Sequence, residues 1–192
     1  MGDSMQVLRF ADLIEVPWKN GGGITREIAK GMIGEGIAWR ISRADVGEDG
    51  AFSDFAGLMR ILTVVSGGAM QLEHAGGVIL ADLWNPVRFD GGLPIFARLM
   101  AGPLSDLNLM FDPQRVEATV ETLRGPFTAE GSAAGICVVH GLEGRVQVGD
   151  QTVHPGDSAF LTGETISAAP GSAALVMRLT YRADIRLCIA SR

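Results

Sequence analysis

Apolar and polar residues alternate along this chain in short runs, and glycine, proline, aspartate or asparagine interrupts each run. That pattern predicts strands almost throughout. In residues 24–29, Ile24, Arg26 and Ile28 fall on one face and Thr25 and Glu27 on the other. Residues 38–44 repeat the alternation, with Trp39, Ile41 and Arg43 opposite Arg40, Ser42 and Ala44. Further strands are expected at 6–10, 59–65, 69–73, 78–80, 95–100 and 106–110, each bounded by turn-forming residues. No amphipathic helix longer than about three turns is visible. Residues 116–123 fit two templates, because Val116, Ala118 and Val120 alternate while Val116, Val120 and Leu123 also suit a helical stripe. They are taken as a strand, and the fold class is all-β.

The strands repeat. ILTVVSGGAMQLEHAGGVIL, residues 61–80, runs strand, Ser-Gly corner, strand, glycine-rich turn, strand, and residues 136–153 run the same way with a His-Gly corner. Aligning Gly67 with Gly141 gives two tandem small β-barrels packed together, 1–112 and 113–192, with the boundary near Pro113. The second copy carries G-x5-P-G-D, from Gly149 to Asp157, followed by the apolar Ala159, Phe160 and Leu161. That string resembles the second half of the cupin signature, which implies a bicupin of double-stranded β-helix, or jelly-roll, type. Glycine and proline also explain it locally, since one permits and the other presets a sharp corner.

Composition narrows the partners. The chain of 192 residues has 47% hydrophobic and 20% charged residues, a net charge of −6 and a pI near 5.0. Without a Lys/Arg stripe to neutralise successive phosphates, nucleic acid is not an expected partner. The opening MGDSMQVLRF lacks a basic segment followed by an apolar one, and no run of about 18 apolar residues occurs, so a soluble cytoplasmic protein with no membrane association is expected. Cys137 and Cys188 are far apart with no CxxC, which fits two buried thiols better than a disulfide or zinc framework.

Metal and covalent chemistry find little support. A cupin metal needs several N and O donors converging on one point, commonly an HxH pair, a glutamate and a later histidine. Here Glu73 and His74 are adjacent and so point to opposite faces of a strand, while His140 and His154 stand alone beside corners. No metal, no cofactor and no catalytic residue is assigned, and no G-x-S-x-G elbow is present.

The N-terminal half is more specific. WKNGGGITREI (18–28), WRISRADVGEDGAFSDFAG (39–57), Arg60-Ile61-Leu62, Phe89-Asp90-Gly91 and SDLNLMFD (105–112) follow one another in an order that resembles the HutD/Ves family. The resemblance implies a bicupin fold without the usual metal ligands, an association with bacterial histidine utilisation, and a non-enzymatic or regulatory role. It also implies an intermediate such as urocanate or a formylated or formiminated glutamate as the molecule sensed. The Ves branch is linked to stress or cold response, so the branch stays open.

Read from the residues alone, WKNGGGITRE admits two interpretations. Three glycines let backbone amides approach a small anion, with Lys19, Asn20, Thr25 and Arg26 as nearby donors. Equally, a glycine-rich loop crosses a barrel end, with Trp18 packed and Lys19 solvated. The spacing is not that of a P-loop. Arg40 and Ser42 share a strand face, as do Asp106, Asn108 and Met110, and such faces either line a pocket or form a solvated sheet surface. Arg40 or Arg60 could grip a carboxylate, with Asn108 and Thr25 orienting it. An internal Arg–Asp network through Asp90 or Asp106 competes for the same residues. Trp39, Phe52 and Phe55 read as core and not as an aromatic box.

The candidate pocket is therefore Asn20, Thr25, Arg26, Arg40, Arg60, Asp106 and Asn108, with a small carboxylated metabolite as the expected partner. Thr25 and Arg26 are strand neighbours, so a regular strand admits only one of them. Three functions remain: a binding or regulatory protein, a metal-independent isomerase or hydrolase using Glu27 or Asp106 as base, and a protein-interaction module. Open sheet edges also allow a homodimer.

Overall fold

The computed structural model describes residues 5–131 and 135–190; the outer ends of the expected division, residues 1 and 192, lie outside them. The strands are β1 (Gln6–Leu8), β2 (Glu15–Pro17), β3 (Gly23–Ile33), β4 (Gly36–Val46), β5 (Gly50–Ala51), β6 (Met59–Ser66) and β7 (Met70–His74). They continue with β8 (Gly77–Ala81), β9 (Val87–Asp90), β10 (Phe96–Leu99), β11 (Leu104–Phe111), β12 (Val116–Arg124), β13 (Phe127–Glu130) and β14 (Gly135–Glu143). The last are β15 (Val146–Val148), β16 (Gln151–Val153), β17 (Ser158–Leu161), β18 (Thr165–Ala168), β19 (Ala173–Tyr181) and β20 (Arg186–Ile189). Among the described residues no helix is long and apolar enough to cross a membrane.

The strands gather into two compact units. The first unit comprises Ile14–Arg115 and Ile185–Ala190; the second comprises residues 5–13 and Val116–Asp184. The internal junction falls between Arg115 and Val116, and the terminal segments are exchanged between the units. β1 pairs with β17 of the second unit, and β20 pairs with β3 of the first.

Each unit holds the same eight-strand arrangement. The first runs β4-β11-β6-β9 in one sheet and β5-β10-β7-β8 in the other; the second runs β12-β19-β14-β17 and β13-β18-β15-β16. Every strand of the second set is the counterpart of one eight places earlier, so the repeat seen in sequence is a repeat of topology. Its register needs correction. The inward residues are Leu62 and Val64 on β6 but Cys137 and Val139 on β14, so aligning Gly67 with Gly141 brings an inward residue against an outward one. The ambiguous segment is β12, paired with β19 along its whole length.

Local chemistry explains the corners. β3 and β4 are joined by Gly34 and Glu35, with Gly34 at φ +57°, as a two-residue hairpin requires. Trp39 is buried flat against Gly31, where a Cβ would lie 2.0 Å from the indole nitrogen. In the second unit Asp157, the end of G-x5-P-G-D, accepts hydrogen bonds from the Phe10 and His154 amides and from the Arg9 guanidinium. The motif thus anchors the segment that leaves β1. Interior packing there is wholly apolar, with Cys137, Val139, Val148, Leu161, Ile166 and Val176 at its centre.

Candidate functional site

The first unit does not fill its interior. Side by side in the sheet, β4, β11 and β6 set three cross-strand rows: Arg40, Met110 and Arg60; Ser42, Asn108 and Leu62; Ala44, Asp106 and Val64. Thr25 of β3 stands beside Ala44, and Phe89 of β9 beside Arg60. Because side chains alternate across a strand, these rows share one face. A cavity of about 490 Å³ opens over them.

Six of the seven candidate residues border that cavity: Asn20, Thr25, Arg40, Arg60, Asp106 and Asn108. Arg26 does not. It lies on the opposite face of β3, buried, with its guanidinium held by Asp45 at 2.5 Å and Glu15 at 2.5 Å. Burial opposes its charge, but the hydrogen bonds from those two carboxylates outweigh that and raise its pKa. Asp45 also accepts the Ser105 hydroxyl. Burial would raise its carboxyl, yet the Ser105 and Arg26 hydrogen bonds hold it below the usual aspartate range.

The glycine run is not a ligand cradle of this cavity either. Trp18, Lys19 and Asn20 border it, whereas Gly21, Gly22 and Gly23 line a separate shallow groove with Asp45 and Ser105. The glycines serve packing: a Cβ on Gly23 would lie 2.6 Å from the Asp45 carbonyl oxygen and 2.9 Å from the Trp18 ring. Trp18 then reaches Thr25, donating from its indole nitrogen to the hydroxyl at 2.7 Å. Asn20 accepts the Gly22 amide, an Asx turn that fixes the mouth of the cavity.

Arg60 is the centre of the site. It is 6% exposed, and its guanidinium carbon sits 4.6 Å from the Phe52 ring centre, 5.2 Å from Phe89 and 5.6 Å from Phe55. Phe52 and Phe55, expected in the core, therefore wall the cavity around a cation; Trp39 is core as expected. Arg60 donates through Nη2 to Asn108 Oδ1 at 2.7 Å, and Asn108 in turn donates to Asp106. Among the described residues its Nε has no hydrogen-bond partner, and no carboxylate stands within ion-pairing distance. Burial pulls the Arg60 pKa down to about 10 against the pull of Asp106.

Asp106, 2% exposed, is pushed up to about 7 by burial, with Asp45 adding to the rise and Arg60 and Arg43 opposing it. Arg40 stands nearer solvent and donates from Nε to Glu27 at 2.9 Å, while Lys30 holds the other Glu27 oxygen at 3.1 Å. Asp90 accepts the Gly92 amide in a turn and is no counter-charge of the pocket. The cavity wall thus carries Lys19, Arg40 and Arg60 against one carboxylate, Asp106. The histidines take no part: His140 is buried 2.9 Å from the Ser158 hydroxyl, and His74 accepts the Gly76 amide in a turn. No three His, Cys, Asp or Glu side chains among the described residues converge as metal ligands.

Strand order and interior together define an all-β protein of cupin, or jelly-roll, fold with a cation-rich cavity in its first unit. The HutD family model matches residues 10–177, and the chain belongs to the HutD family. A Pseudomonas putida protein described as lying in the hutC 3′ region is 38% identical over 136 residues, 69% of this chain and 71% of that one. Protein Ves of Citrobacter koseri is 33% identical over 150 residues, 75% and 78% of the two chains. The solved HutD of Pseudomonas fluorescens SBW25, from a formate condition, is 31% identical with a TM-score of 0.84, covering 94% of this chain and all of that one.

Proposed function

We propose that this is a non-catalytic binding or regulatory protein of bacterial histidine utilisation, whose first-unit cavity takes up a small carboxylated intermediate of that pathway. The observation that carries the reading is Arg60: a buried guanidinium, walled by three phenyl rings, with an unpartnered Nε and no carboxylate paired to it. A buried charge left without a close partner is costly, and an anion in the cavity relieves that cost. Arg40 and Lys19 at the mouth attract the same charge, and Asn108 and Thr25 supply neutral hydrogen bonds to orient it. Two comparisons support the setting: the family, and a relative placed beside hutC.

The test is calorimetric titration of the purified protein with urocanate, formiminoglutamate, formylglutamate, histidine and glutamate, repeated on Arg60→Met. Saturable micromolar binding of one carboxylate, lost in the variant and without product, is the expected result. Absence of binding across the panel overturns it.

A second reading has its own observation. Asp106, with a pKa of about 7 at a cavity wall, is suited to act as a general base in a metal-independent isomerase or hydrolase. NMR of the same mixtures over hours separates the two, since turnover yields new resonances and binding alone does not.

A further inference from the structure

Asp106 and Arg60 belong to one relay. Ionised Asp106 accepts from the Asn108 amide, which turns the Asn108 carbonyl oxygen toward Arg60 and lets it hold Nη2 at 2.7 Å. Asp106 is thereby the internal counter-charge of Arg60, at one remove, in the cavity's buried wall. Arg60 on β6 shares its face, Arg40 and Lys19 also border the cavity, and the charges of Arg43 and Asp45 reach it from the opposite face of β4. A second carboxylate entering this space meets an existing one where burial makes like charges costly.

We infer that Asp106 is a built-in competitor for Arg60: an entering carboxylate replaces it as counter-charge, and Asp106 takes up one proton as the ligand binds. The balance is simple. Solvent supplies the proton, Asp106 becomes neutral, the ligand stays ionised, and the net charge of the buried group is unchanged. Neutral Asp106 gains a hydroxyl donor, so the site acquires a hydrogen bond at the step that loses a repulsion. Anion affinity is then proton-linked, and the linkage rests on the carboxylate-binding reading above.

The size follows from the Asp106 carboxyl, pushed up to about 7. Such a group is roughly nine-tenths protonated at pH 6 and one-tenth at pH 8, so the binding-competent fraction falls about tenfold. The experiment titrates the intact protein with formate, the smallest carboxylate and one that stays ionised throughout. It is run by calorimetry at pH 6 and pH 8, each in two buffers of contrasting ionisation heat. Expected are about tenfold weaker binding at pH 8, uptake of close to one proton there, and almost none at pH 6. Asp106→Asn, neutral and of the same shape, should bind with the pH 6 affinity of the wild type at both pH values.

Formate binding with no proton exchange and no pH dependence overturns the inference and leaves carboxylate binding intact. Retention of the slope in Asp106→Asn overturns it as well. Failure of formate to bind at either pH, together with no binding across the panel above, removes both readings together. The proton count needs only the wild type, so the test survives a variant that does not fold.

Discussion

The two units share eight strands in one order, yet one interior is hydrocarbon and the other sets charged and amide side chains beside its apolar cluster. In the second unit β14 and β19 turn Cys137, Val139, Ala174 and Val176 inward, all fully buried. On the matching strands β6 and β11 of the first unit, Arg60, Asp106 and Asn108 face inward beside Leu62 and Val64. The second unit has one arginine on β19, Arg178, and it is paired with the half-exposed Glu121. The difference teaches that this frame is held by strand alternation and corners, and tolerates either filling.

Giving the second interior a charge should break the comparison most severely. Val139→Asp is expected to cost about 3–5 kcal/mol, the scale of an uncompensated buried charge, read as a shifted denaturant midpoint. Making the first interior resemble the second is the converse. Arg60→Met should weaken carboxylate binding about 100-fold, on the order of the 3 kcal/mol a strong charged hydrogen bond contributes, while stability holds or rises. Equal affinity in calorimetry would show that the ligand sits elsewhere.

Asp106→Asn sharpens the comparison through pH. The folded pKa of about 7 lies above the unfolded value near 3.8, so between those limits the folded state holds a proton that the unfolded chain releases. Wild-type stability is therefore lost as pH rises through that window, and the variant escapes the loss. Its melting temperature should exceed the wild type by roughly 5 °C at pH 8, with a smaller gain at pH 5. Arg26→Ala tests which face of β3 matters: about 1–2 kcal/mol of stability should go with its hydrogen bonds, and ligand affinity should not change. Arg40→Ala is the mildest, with binding weakened about fivefold and stability altered by less than about 0.5 kcal/mol, since the Arg40–Glu27 pair is partly solvated.

Much of this was legible from alternation. Arg40 with Ser42, and Asp106 with Asn108 and Met110, were placed on common faces by the period of two, and those faces line the cavity. The parity conflict between Thr25 and Arg26 was visible too, but not its resolution, because both are polar and only the partners Asp45 and Glu15 decide which one turns away. β11 is buried from Leu104 to Phe111 on both faces, so burial alone does not tell its cavity side from its other side. Phe52 and Phe55 were hidden for a different reason: a phenyl ring beside a guanidinium has the same sequence signature as one in a core. The glycine run stayed ambiguous because close packing against Trp18 and approach to an anion ask for the same residue. β20 has no strong strand signal, and nothing local to Arg186–Ile189 names β3 as its partner.

That last pairing has a temporal consequence. A ribosome delivers β3 early and β20 roughly 150 residues later, a delay on the order of ten to thirty seconds at bacterial elongation rates. Throughout it, residues 29–32 of β3 present an open hydrogen-bonding edge where Arg186–Ile189 will later dock. The first unit's sheet edge is thus covered only after the strands of the second unit, β12 to β19, have been made.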